Sequence, residues 1–243
     1  MRQRSFLVSR LKSFLIENVI SFHLKLRDVA LSIDGHRWFE GLTNEHPKRF
    51  EHFLTQLQPQ NLGRAFQSIA QSFPNFPAVV SKQAPLTYVN LFSVTVSFAR
   101  QMQARGVGRG SVVAVNTGDT LASLACLFAT SLLGAGFVVA SETLARQKTV
   151  LPTHFFKTAE AAGKAGVPFV AIDESWMPTA LVDPAEPLTD FPGYFTADDP
   201  WMYMFTSGTT GNPKTVALSQ RAVFDRTMAV SQDYPLARTT MAS

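Results

Sequence analysis

The chain has 243 residues, 46% of them hydrophobic and 16% charged, a balance that builds a packed globular core and excludes a disordered chain. Its 22 Lys+Arg against 18 Asp+Glu leave a formal charge of +4, and the basic residues are scattered with no interleaved aromatics, so no nucleic-acid surface is expected. The single cysteine, Cys126, lies in an apolar run; no intrachain disulfide can form, which suits a reducing, cytoplasmic compartment, and the thiol reads as buried and structural.

Residues 1–58 read as a helical leader without a fold signature. Basic residues precede an apolar stretch in MRQRSFLVSRLKSFLIENVI, but Arg10, Lys12 and Glu17 interrupt it and no small-residue cleavage site follows, so a signal peptide is not supported. Phe6, Leu7, Leu11, Phe14 and Leu15 recur at helical spacing, giving an amphipathic helix that docks on the protein or, as the alternative, makes peripheral contact with a membrane. His23, His36, His46, His52 and His154 show no metal-ligand spacing.

From residue 59 the pattern sharpens. Leu62, Ala65, Phe66, Ile69 and Ala70 form a helical stripe that ends at SFPNFP; AVV and LTYVNL suggest a short hairpin, and a helix from about Tyr88 to Arg105 stops at Gly106. The uncharged run Leu121 to Ala140 is long enough to span a bilayer. Its context gives another reading: SVVAV is a strand, Asn116 to Asp119 a turn, Thr120 to Leu133 a small-residue helix, and Phe137-Val138-Val139 a second strand, a βαβ crossover whose elements are apolar because both faces of a parallel sheet are covered.

The alternation repeats in THFF, TAEAAGKAG and VPFVAI, and Asp173 to Pro200, rich in proline and acidic residues, reads as an irregular connection. WMYMF is a strand, TSGTTGNPK a loop, KTVAL a strand, and Ser219 the N-cap of a helix. The fold class is therefore α/β, a mostly parallel sheet with helices on both faces.

The loop concentrates chemistry. Gly208 and Gly211 admit positive φ and close approach, so successive backbone N–H groups can converge on an anion; Thr206, Ser207, Thr209 and Thr210 add hydroxyl donors and Lys214 a positive charge. Polyphosphate matches that set. Gly208 reaches Lys214 at the Walker A spacing, but Pro213 stands where that motif has glycine and removes a backbone donor. The upstream GVGRGS ends on Ser111 rather than glycine and precedes its strand, so it is no dinucleotide fingerprint.

TSGTTGNPK, preceded by WMYMF and followed by a strand and Ser219, resembles the phosphate-loop signature of the adenylate-forming superfamily, which contains acyl-CoA synthetases, peptide-synthetase adenylation domains and luciferases. PLTYVNL, RGVGRGSVVAVNTGD and SLLGAGFVVAS resemble the family's opening segments in the same order.

The resemblance implies activation of a small-molecule carboxylic acid with MgATP to an acyl-adenylate, with transfer to the thiol of coenzyme A or of a carrier protein. It also implies that Thr206 to Lys214 hold the β- and γ-phosphates. The sequence departs from the family at Thr215, usually glycine, and at Ser219-Gln220, usually Ser-His, and Glu142 to Phe156 looks shortened. The family's adenine segment, ribose-binding aspartate, hinge and C-terminal domain with its catalytic lysine have no counterpart in these residues.

The expectation is therefore a partial adenylate-forming domain over residues 59–243, catalytically incomplete alone, with self-association through an exposed sheet edge. Two rival readings stand beside it: a nucleotide- or pyrophosphate-binding remnant without turnover, and a membrane-associated interaction protein.

Overall fold

The computed structural model describes residues 61–79, 86–117, 120–140, 144, 150–158, 169–191, 197–206 and 214–233. The leader, the loop residues 207–213 and the expected helix in TAEAAGKAG lie outside the described residues, except for Thr158, which ends a strand. Of the two compact units into which the chain divides, the larger, Leu57–Ala78 with Thr87–Asp233, holds nearly everything described below.

Helix α1 (Leu62–Ser72) starts where Asn61 accepts the Arg64 N–H in its side chain, and buries Ala65, Phe66 and Ala70, members of the apolar stripe. Strands β1 (Pro77–Val79) and β2 (Leu86–Thr87) pair in a small separate sheet, as the hairpin reading expects. Thr87 caps α2 (Tyr88–Gln103), two residues shorter than expected: Ala104 closes the helix and Gly106, at φ +86°, turns the chain out of it.

Strand β3 (Val112–Asn116), helix α3 (Thr120–Leu133) and strand β4 (Gly136–Val139) make the anticipated crossover, with β3 and β4 parallel. No helix among the described residues is long and apolar enough to cross a membrane. Burial among apolar neighbours puts Cys126 out of solvent and pushes its thiol pKa well above the ordinary range, so it stays protonated.

Strand β5 (His154–Thr158) pairs parallel with β3, and β6 (Val170–Ile172) parallel with β5. Strand β7 (Pro200–Thr206) joins β4 in parallel, while β8 (Lys214–Ser219) runs back antiparallel along β7. The six-stranded order is β6-β5-β3-β4-β7-β8, so the sheet is parallel except at the β8 edge. Helix α4 (Gln220–Asp233) follows β8 directly, and Ser219 Oγ accepts the Ala222 N–H at 3.1 Å, the cap anticipated from the sequence.

Both faces of the sheet carry apolar side chains. On one, Ala114, Val138 and Leu144 form a buried cluster flanked by Val112, Phe155, Tyr203 and Phe205. Deep packing elsewhere centres on rings: Phe66 stacks on Phe128 at 4.4 Å, and Trp176, fully buried, meets Phe98 and Phe156 edge-on.

The segment expected to be irregular opens with a 3₁₀ turn, Glu174–Trp176, capped by Asp173. The rest of the described stretch to Phe191 runs without regular structure and is strapped to the helices by side chains that reach its backbone. Ser97 Oγ donates to Trp176 O at 2.7 Å, Ser93 Oγ accepts the Val182 N–H, and Gln67 Nε2 donates to Pro184 O and Glu186 O. Arg64 donates to Leu188 O at 2.8 Å and Phe191 O at 3.3 Å.

Candidate functional site

Seven residues were singled out from the sequence: Thr206, Ser207, Gly208, Thr209, Thr210, Gly211 and Lys214. The structure describes the two that bracket the loop, and the other five lie outside the described residues. Thr206 ends β7 and Lys214 opens β8, and the two are direct cross-strand partners, with the Thr206 hydroxyl donating to Lys214 O at 3.4 Å. Thr206 and Lys214 therefore stand side by side at one end of the β7–β8 pair.

That end is defined by topology. Because β7 is parallel to β4, and β4 to β3, Thr206 lies at the carboxyl edge of the parallel strands, where open α/β sheets bind ligands. Lys214 is exposed there. Thr206 and Lys214 thus bracket the glycine-rich segment, and an ammonium and a hydroxyl are groups that can neutralise and hydrogen-bond phosphate oxygens. Among the described residues no group of three His, Cys, Asp or Glu side chains could hold a metal ion.

The stem below these two residues is a ribbon. Strand β7 pairs with β4 at Met202 and Tyr203, and with β8 at Pro200 and from Met202 to Thr206, so its last three residues extend past the described pairing with β4. Tyr203 seats the ribbon. Its ring lies over Gly136, where a Cβ would stand 2.6 Å from Tyr203 Cε2, so a larger residue there would press the ring aside.

At the opposite end of the ribbon, Arg221 joins α4 to the residues that lead into β7. Its N–H donates to Ala197 O at 2.8 Å, and its guanidinium to Asp198 at 2.7 Å, a bond that raises its pKa. Gln220, the residue that departs from the family's Ser-His pair, points inward and is 1% exposed. Its Oε1 accepts the Leu62 N–H at 2.5 Å and the Ser131 hydroxyl at 2.9 Å. The sequence marked Gln220 as a departure and did not mark Asn61 or Ser131. A polar residue that opens a helix gives no sign of partners 89 and 158 positions away.

Comparison with known proteins settles the family. The model for AMP-binding enzymes matches residues 66–242, spanning every element of the sheet described here. The chain belongs to the AMP-binding enzyme family.

It is 28% identical to the nonribosomal peptide synthetase-like enzyme fsqF of Aspergillus fumigatus over 69% of this chain and 12% of that protein. It is 27% identical to pyochelin synthetase PchF of Pseudomonas aeruginosa over 72% of this chain and 10% of that protein. The chain thus spans a small part of the length of these relatives.

Among solved structures it is similar to the N-terminal subdomain of Klebsiella oxytoca NpsA in complex with 3-hydroxybenzoyl-AMSN. That likeness has a TM-score of 0.54 and 20% identity and covers 66% of this chain and 41% of that one. It is also similar to a variant of o-succinylbenzoate CoA synthetase (MenE) of Bacillus subtilis, with a TM-score of 0.56 and 20% identity, covering 70% of this chain and 36% of that one. At these identities the structural likeness establishes the fold: that of AMP-binding enzymes, in their N-terminal part.

Proposed function

We propose that this chain supplies the polyphosphate-binding part of an acid-activating, adenylate-forming ligase. The observation that carries the reading is the pairing of Thr206 with Lys214 at the carboxyl edge of the sheet, in a chain of the AMP-binding family.

In the reaction proposed for the whole enzyme, a carboxylate oxygen attacks the α-phosphorus of MgATP. The bond from that phosphorus to the bridging oxygen breaks, and pyrophosphate leaves with the electron pair. Lys214 and the hydroxyls of Thr206, Ser207, Thr209 and Thr210, with the backbone at Gly208 and Gly211, hold the β- and γ-phosphates and offset the charge that grows on the departing group. Magnesium enters as part of the MgATP substrate.

A thiol then takes the acyl group and AMP departs. Two acceptors fit the neighbours: NpsA is known as an artificially fused adenylation–PCP di-domain with ThdA, and MenE is an o-succinylbenzoate CoA synthetase. This chain, which covers 41% and 36% of the NpsA and MenE chains named above, is proposed to bind phosphate without completing adenylation.

Titration calorimetry with ATP and pyrophosphate tests the loop. Lys214→Ala removes a charge-assisted contact worth roughly 1.5–3 kcal/mol, about a ten- to hundredfold loss of affinity. Gly208→Val is expected to do at least as much harm, because a β-branched side chain blocks close approach and disfavours positive φ. Both losses shrink in high salt. Unchanged affinity in both variants would sink the phosphate assignment. Acid-dependent pyrophosphate release by the wild-type chain would overturn the claim that these residues do not suffice for adenylation.

A further inference from the structure

Gln220 belongs to a buried polar knot joining the ends of three helices. At the start of α1, the Leu62 N–H goes to Gln220 Oε1, the Gly63 N–H to Ser131 Oγ at 2.8 Å, and the Arg64 N–H to Asn61 Oδ1 at 3.1 Å. The Ala65 N–H returns to Asn61 O as the first helical bond, so the three helical amides ahead of it, which a helix start leaves without intrahelical partners, are all satisfied by side chains. Asn61 Nδ2 also donates to Ser131 O near the end of α3, and the Ser131 hydroxyl lies 3.0 Å from Asn61 Oδ1. Gln220 thus supplies, from the first residue of α4, a capping acceptor for a helix 158 positions earlier.

This knot sits at the base of the β7–β8 ribbon, and the candidate phosphate loop sits at its tip. Strand β8 is a sheet edge: among the described strands it is paired by β7 alone, and the holds at its base add to that pairing. At the base those holds are Ser219 as cap, Arg221 on Ala197 and Asp198, and Gln220 on α1 and α3. Of these, only Gln220 reaches outside the ribbon and its own lead-in. The ladder of paired residues from Met202–Leu218 to Thr206–Lys214 links that base to the tip.

We infer that Gln220 is a positioning residue: through its bonds to Leu62 and Ser131 it ties the base of the ribbon to the helical layer and so fixes where Lys214 stands at the carboxyl edge. The inference rests on the phosphate reading of the loop and adds to it the device that aims the loop.

Two readouts on the full chain test it, with inorganic pyrophosphate as probe. In Gln220→Leu, which removes both bonds accepted by Oε1, amide-exchange protection at residues 215–219 is expected to fall by about tenfold or more. Protection at Val113–Val115 in the centre of the sheet stays as in the wild type. Measured where each variant is fully folded, pyrophosphate affinity falls about five- to tenfold, an effect that loss of global stability alone would not produce.

Gln220→Glu keeps an acceptor oxygen in either protonation state and recovers most of both. Should Gln220→Leu fail to fold, Ser131→Ala, which removes one donor to Oε1, decides the same comparison. Protection lost in β8 alone supports the inference; unchanged protection in β8, or equal loss across the sheet, overturns it. If the wild-type chain binds no pyrophosphate, the phosphate reading fails, and the exchange pattern still shows whether Gln220 anchors β8.

Discussion

The helices and the β7–β8 ribbon are held by different means. Around α1, α2 and α3 the fastening is dense and apolar: Phe66 on Phe128, and Trp176 between Phe98 and Phe156, all in contact across elements far apart in sequence. The ribbon has a half-buried stem, a glycine contact at Tyr203, an exposed lysine, and a base pinned by a few polar bonds. Density stabilises the first region. The second depends on directed bonds, whose loss moves a group without unfolding the chain. Stability and ligand affinity are therefore expected to respond to different residues.

The largest effect belongs to the helical side. Trp176→Ala opens a cavity between Phe98 and Phe156 and is expected to cost about 3–5 kcal/mol in urea denaturation, enough to threaten folding. Lys214→Ala, by contrast, should leave unfolding free energy within about 0.5 kcal/mol while weakening pyrophosphate binding. A variant that lowered both together would break the division.

Next in size is the seat of the ribbon. Gly136→Ala forces the Tyr203 ring aside and is expected to cost about 1–3 kcal/mol, and in the double variant with Tyr203→Ala the two costs should fall short of their sum. Full additivity would mean that the ring and Gly136 do not press on each other. Cys126 sharpens the comparison from the chemical side: its thiol should resist alkylation at pH 8 in the folded chain and react once denatured, because burial favours the neutral form and denies access.

The smallest effect is in the 3₁₀ turn. The Ser175 hydroxyl, and after it the Ser175 N–H, holds the Asp173 carboxyl below its usual range. A depressed folded value contributes stability above the ordinary aspartate pKa, and the contribution disappears as pH falls through the folded value. Protection factors at Ser175 and Trp176, corrected for the pH dependence of intrinsic exchange, should fall on acidification through that window, and Asp173→Ala should flatten the dependence.

The parallel core could be read from the sequence because its signals are local. Val112 to Val115 and Phe137 to Val139 are short apolar runs bounded by turn residues, and Thr120 to Leu133 lies between them. The bracket of the candidate site was legible for the same reason: Thr206 and Lys214 flank a motif contained in nine consecutive residues. The reversal of β8 against β7 was not, since KTVAL has the same composition in either direction. Nor was the Asn61–Ser131–Gln220 knot, or the 3₁₀ turn. The knot depends on contacts between distant positions, and the turn on one Asp and one Ser of a kind found in any loop.

The strap from Val182 to Phe191 has a consequence for how this surface can change. Arg64 and Gln67 grip it by four main-chain carbonyls, those of Pro184, Glu186, Leu188 and Phe191, which every amino acid possesses. The gripping side chains carry the chemical identity, and the gripped positions carry little beyond Pro184, Leu188 and Phe191, which are buried. In a saturation library selected for folded protein, Arg64 and Gln67 should tolerate few replacements, while Ala185 and Glu186 accept many. The strap is thus a place where new surface chemistry can be written into this domain with little loss of structure.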